Sequence, residues 1–106
     1  MVNEEKLIKI FEKIGIAAVI EQALEECGEF SKAAAKHLRI MRGVNYTPVK
    51  LTENSCNLME ETADIMLCLE LLQVAFSPNR GKTRELIEGI KTAKLDRWLD
   101  RLGVKA

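Results

Sequence analysis

Histidine is almost missing from this chain, aromatic residues are scarce, and proline occurs only twice. A single histidine, His37, excludes sites that need several imidazoles. It also excludes a di-iron carboxylate bundle, which takes Glu-x-x-His from two helices; the residue three before His37 is Ala34. His37 itself is expected on the surface near a helix end. The three cysteines, Cys27, Cys56 and Cys68, form no CxxC pair, so neither a zinc knuckle nor a disulfide framework is supported. Cys27 and Cys68 lie in apolar surroundings and are expected to be small core residues. No apolar run reaches the roughly 20 residues that span a bilayer. The segment Met1-Val2-Asn3-Glu4-Glu5 carries acids where a secretory signal carries bases. A cytoplasmic protein with no membrane association is expected. Sixteen basic and sixteen acidic residues cancel, so no general affinity for nucleic acid is expected either.

What the chain does contain is helix-forming sequence. Ala, Leu, Ile, Glu and Lys dominate its 106 residues, and most of these lose little rotamer freedom in a helix. The length suits one domain over 1–106. Apolar spacing predicts four helices, over about 3–14, 17–41, 52–76 and 83–102. Gly15 follows the first. The second carries the stripe Ile20, Ala23, Leu24, Cys27, Phe30, Ala34, Leu38 and Met41, and closes at Arg42-Gly43. Pro48 pushes Thr47 out of helical geometry, so 44–51 reads as a loop, with Tyr46 in it. Thr52 is the expected N-cap of the third helix, Ser77-Pro78-Asn79 its end, and Gly81 a loosening of the next turn. Gly103 closes the fourth. The expected fold is all-α, a four-helix bundle-like protomer with antiparallel neighbours.

Charge is distributed in blocks. Residues 1–30 hold seven acids and three bases, 31–50 five bases and no acid, and 51–70 five acids and no base. Two clusters matter most, Glu25-Glu26-Cys27-Gly28-Glu29 and Glu60-Glu61-Thr62-Ala63-Asp64. Acids usually mark a solvated helix face. Glu61 and Asp64, however, project with Cys68, Leu71, Leu72 and Ala75, a strip that runs into core. No Lys or Arg lies between 51 and 70 to neutralise them. Glu26 and Glu29, three residues apart, share a side flanked by Val19, Phe30 and Ala33. Gly28 removes a side chain beside them at about 1 kcal/mol of helix propensity, as expected where a ligand or another backbone comes close. If the second and third helices pack antiparallel, Glu26, Glu29, Glu61 and Asp64 can meet, and four carboxylates in one place need a cation. Oxygen donors without His or Cys suit Mg2+, with Mn2+ as a substitute.

At these residues the sequence resembles the MazG-type all-α nucleoside triphosphate pyrophosphohydrolases, in the short form of phage and prophage members. The family signature, EExxE on one helix and ExxD on the next, is matched by Glu25-Glu26-Cys27-Gly28-Glu29 and Glu61-Thr62-Ala63-Asp64. A late Lys-x-x-Arg is matched by Lys94-Leu95-Asp96-Arg97, and a "KxLR…RG" stretch by Lys36-His37-Leu38-Arg39 to Arg42-Gly43. The similarity covers about 16–102. The 31 residues between Glu29 and Glu61 exceed the usual family spacing slightly. The resemblance implies a Mg2+-dependent hydrolase that converts a nucleoside triphosphate to the monophosphate and pyrophosphate. It implies metal binding by Glu26, Glu29, Glu61 and Asp64, with Glu25 orienting water or supporting a ligand. Lys94 and Arg97 are implied to hold phosphate oxygens. Lys32, Lys36 and Trp98 are further substrate-binding candidates, with Arg39 beside the two lysines.

The third helix is apolar nearly all round from Ile65 to Phe76, which points to an interface beyond one protomer. With the family's habit of forming dimers and tetramers, this makes a homodimer or homotetramer the expected state. The competing expectation is a helical module that binds nucleotide, metal or protein without turnover.

Overall fold

The structure is a computed structural model, and it describes residues 2–43, 50–76 and 80–105. Among the described residues three helices run in order: α1 Glu4–Arg42, α2 Leu51–Phe76 and α3 Arg80–Leu102. No strand occurs among the described residues, so the all-α expectation stands. The chain divides into two compact units, Met1–Phe76 with α1 and α2, and Ser77–Ala106 with α3. No helix among the described residues is long and apolar enough to cross a membrane.

The first two expected helices are one element, α1, broken at Gly15. There φ is 82° and ψ 169°, a conformation open essentially to glycine alone. The break is what forms the core. Leu7 and Val19 belong to one cluster with Leu71 and Val74, and Ile8, Phe11, Leu72 and Ala75 pack against it. In an unbroken helix Leu7 and Val19 would stand about 18 Å apart along the axis. The turn at Gly15 brings the short N-terminal arm of α1 onto the C-terminal half of α2. Each core side chain buried in full contributes roughly 1.5–3 kcal/mol.

The helix ends follow ordinary capping chemistry. Asn3 caps α1, its side chain accepting from the backbone N–H of Glu5 and Lys6. Gly43 ends α1 in the left-handed region at φ 62°, and its N–H reaches the carbonyls of Arg39 and Ile40. Two expected boundaries are corrected. Thr52 lies inside α2 rather than capping it, because the Asn54 N–H already bonds the Lys50 carbonyl. Gly81 sits inside α3, which begins at Arg80 rather than near Thr83. The readings of Thr47, Pro48, Tyr46 and Ser77-Pro78-Asn79 lie outside the described residues.

Beyond Gly15, α1 and α2 pair antiparallel: His37 meets Asn54, Glu26 meets Glu61 and Asp64, and Val19 meets Leu71 and Val74. The contact line on α1 repeats every three and four residues, through Val19, Ala23, Glu26, Phe30, Ala33, His37 and Ile40, each buried or half-buried. On α2 the same spacing runs through Asn54, Leu58, Glu61, Ile65, Cys68 and Leu72, again buried or half-buried. This is the two-helix seam of a coiled coil, except that charged and polar residues occupy some of its positions. Of the stripe expected inward on α1, Ala23 and Phe30 lie in this contact line and Ala34 is half-buried, but its other members lie one residue further round. Ile20, Leu24, Leu38 and Met41 are exposed, Leu24 at 68% and Met41 at 64%. Cys27, expected in the core, is exposed with them, whereas Cys68 is buried as expected.

The break at Gly15 gives a direct test. An added Cβ would meet nothing within 4 Å, so Gly15→Ala introduces backbone strain without a clash. The variant is expected to lose about 1–3 kcal/mol, read as a lower urea midpoint with an unchanged m-value.

Candidate metal centre

Two carboxylates occupy the α1–α2 seam itself. Glu26 on α1 and Glu61 on α2 are half-buried, and Asp64, one turn after Glu61, is exposed beside them. One carboxylate oxygen from each lies within 4.8 Å of the others. Val19 and Ala33, fully and nearly fully buried on α1, hold the Glu26 side of the helix against α2. Gln22, one turn earlier, donates through Nε2 to Glu26 Oε1 at 3.0 Å and orients it. On α2 the Thr62 hydroxyl turns back to the Leu58 carbonyl at 2.7 Å, so it spends its proton within the helix rather than on the carboxylates.

The electrostatics are those of a crowded anion. Glu61 is pushed above the ordinary carboxyl value of 4.5, first by partial burial and then by Asp64, Glu26, Glu29 and Glu60. Burial, and after it the charges of Glu26 and Asp64, push the Cys68 thiol above 9.0, with Cys27 adding to the shift. In the metal-free chain Cys68 is therefore a neutral thiol, and the donors the centre offers are oxygens. Three oxygens from two helices, carrying mutual repulsion, form a donor set suited to a hard divalent cation such as Mg2+ or Mn2+. Glu26, Glu61 and Asp64 are the residues that fit it.

The remaining expected site residues fall elsewhere. Glu29 is exposed and stands outside the three-carboxylate group, although its charge still acts on Glu61. Glu25 is exposed, one residue from Glu26. Lys32 is exposed and Lys36 half-buried on the following turns of α1, and Arg39 is exposed. Lys94, Arg97 and Trp98 are exposed on α3, in the second unit. On the same helix Lys91 is paired with Glu88 at 2.8 Å. Among the described residues nothing lies within 4 Å of a Cβ added at Gly28, so no backbone among them explains that glycine.

The chain has no significant match among protein-family models, curated proteins or solved structures. The family resemblance of the sequence thus rests on its motifs alone.

Sequence reasoning missed one polar element of the seam. Asn54 is only 1% exposed, and its Nδ2 lies 2.9 Å from His37 Nδ1. His37 is therefore a half-buried partner of α2 rather than a surface residue. Asn54 Oδ1 is buried with no hydrogen-bond partner among the described residues, an arrangement that costs about 1–3 kcal/mol. The signal was available: Asn54 stands seven residues before Glu61, two turns up the same face.

The raised Glu61 carboxyl has a calculable sign. Its folded-state affinity for a proton exceeds that of the unfolded chain, so its contribution to stability is fully present below about pH 4.5 and is lost as pH rises through the raised value. In EDTA, Glu61→Gln is expected to be more stable than the parent near neutrality. The difference should vanish below pH 4.5. Urea midpoints of the two proteins across that range check it.

Proposed function

We propose that the chain is a Mg2+-dependent nucleoside triphosphate pyrophosphohydrolase, serving nucleotide-pool housecleaning in the cytoplasm. The observation that carries the reading is the convergence of Glu26, Glu61 and Asp64, within 4.8 Å, across two helices. These are the seam and near-seam members of the two motifs that resemble the MazG-type signature. Structural acids on a helix hairpin have no reason to face one another in the contact line, where repulsion opposes folding. A site built to receive a cation has that reason.

Glu26, Glu61 and Asp64 hold the ion, and Glu29 adds negative potential beside them without joining the inner group. A bound Mg2+ supplies neutralisation of triphosphate charge and a more acidic water. Glu25, exposed next to Glu26, is assigned to orienting the attacking water. Attack at the α-phosphorus breaks the bond to the bridging oxygen, and that oxygen leaves with pyrophosphate. The motif resemblance alone assigns Lys94 and Arg97 to phosphate oxygens, a role in which cationic groups stabilise the charge of the leaving group. Lys32, Lys36 and Trp98 are assigned to the substrate periphery.

Purified protein incubated with each common NTP and dNTP, with Mg2+ or with EDTA, tests the reading. Release of pyrophosphate and monophosphate is expected only with Mg2+, falling on the order of a hundredfold or more in Glu61→Gln. Binding of Mg2+ and nucleotide without any release would replace the enzyme by a non-catalytic nucleotide-binding module.

A further inference from the structure

We propose that Asn54 and His37 form a polar pin that sets the register of α2 against α1, and that they act as positioning residues for the three-carboxylate centre. What the pin does for metal binding rests on the function proposed above; the register itself does not.

The need for a pin comes from the rest of the seam. At one end the apolar contacts tolerate a slip. From Ile65 to Phe76 only Glu70 and Gln73 are polar. Moving α2 by one turn therefore exchanges one set of apolar neighbours of Val19, Leu71 and Val74, for another, Cys68 and Leu71. In the middle, repulsion favours a slip. Glu26 faces Glu61 and Asp64 with one oxygen of each within 4.8 Å. Before a cation arrives, any displacement that parts them lowers their electrostatic energy.

Asn54 opposes both tendencies. It is 1% exposed, its Nδ2 donates to His37 Nδ1 at 2.9 Å, and its Oδ1 has no partner among the described residues. A buried carboxamide satisfied at one end only is a poor source of stability, since an apolar side chain there would leave nothing unpaired. What it supplies is discrimination. Slipped by one turn, Asn54 faces Ala33 or Ile40; slipped by two turns towards the middle of α1, it faces Phe30. None of these side chains carries a polar atom, so both ends of the carboxamide would be buried unpaired. Among the seam positions from Phe30 to Ile40, His37 alone can answer it. A single buried Asn fixes the register of coiled coils in the same way, at a cost in stability.

The register so chosen is the one the centre needs. Glu26 stands eleven residues before His37 on α1, and Glu61 and Asp64 stand seven and ten residues after Asn54 on α2. With His37 and Asn54 level and the helices antiparallel, Glu26 falls opposite the turn that carries both α2 carboxylates.

Distances between two nitroxide labels test the pin. Leu38→Cys and Met66→Cys carry the labels at exposed positions, with Cys27 and Cys56, both exposed, replaced by Ser. Counted from the His37–Asn54 pair, the two sites are about 20 Å apart along the seam, so a slip of one turn changes their separation by about 5 Å. Dipolar spectroscopy is expected to give one distance in the parent and, in Asn54→Leu, a second one that differs by about 5 or 10 Å. The urea midpoint of Asn54→Leu should not fall, because the unpaired Oδ1 goes with the carboxamide. His37→Gln keeps an acceptor for Asn54 and should keep the single distance. In the unlabelled proteins, Mn2+ affinity should fall on the order of tenfold or more in Asn54→Leu, although no carboxylate is touched, and hold in His37→Gln. One unchanged distance in Asn54→Leu overturns the inference. So does a second distance in both variants, which traces the effect to disturbed packing rather than to the hydrogen bond. A second distance with unchanged Mn2+ affinity removes the positioning role. If the parent binds no Mn2+, the proposed function falls and the distances alone decide the pin.

Discussion

The rest of the protein depends on a helix-pair seam that carries charge where a coiled coil carries leucine. Glu26 and Glu61 stand at contact positions of α1 and α2, with Asp64 one turn on. Seam positions are normally apolar because their burial is what holds the helices together. Leu7, Val19, Leu71 and Val74 form the core at one end, and the Asn54–His37 hydrogen bond lies towards the other. The middle of the hairpin holds repelling carboxylates that the flanks press together. Burial, and after it the neighbouring carboxylates, makes Glu61 take up a proton more readily than a free carboxyl. On the proposed function, a divalent cation held by Glu26, Glu61 and Asp64 would relieve that repulsion.

Gly15 allows this arrangement. Without its positive φ, α1 would run straight past the end of α2, and Leu7, Ile8 and Phe11 would have no partner there. The fold therefore gains its core by breaking a helix.

Much of this was legible in the sequence, and the failures have two sources. The helical segments, Gly15 and Gly43 as helix breaks, and the pairing of the two acidic motifs follow from spacing and from residue types with few alternatives. The inward strip through Glu61, Cys68 and Leu72 was legible because, from Ile65 to Phe76, only Glu70 and Gln73 are polar. On α1 the expected core stripe took Ala23 and Phe30 from the line that meets α2 but drew its other members from a more apolar neighbouring line, Ile20 to Met41. The line that meets α2 is the more polar of the two, with Glu26 and His37 in it. Hydrophobicity alone ranks those lines in the wrong order, since it treats a buried carboxylate as a surface marker. The same bias hid Asn54. Glu29 was grouped with Glu26 because both lie on one side of the helix, but a separation of three residues still spreads them by about 60°. That leaves Glu29 exposed while Glu26 sits in the seam.

The central claim is that this charged stretch of seam is a specific divalent-cation centre. Titrating Mn2+ into the isotopically labelled protein and following paramagnetic broadening of backbone amide signals addresses it most directly. Loss of signal at the lowest metal levels should centre on Glu26, Glu61 and Asp64, spare the equally acidic but exposed segment at Glu4 and Glu5, and be reversed by excess Mg2+. Broadening that grows evenly over all exposed acids, with no early focus in the α1–α2 seam, would contradict the account.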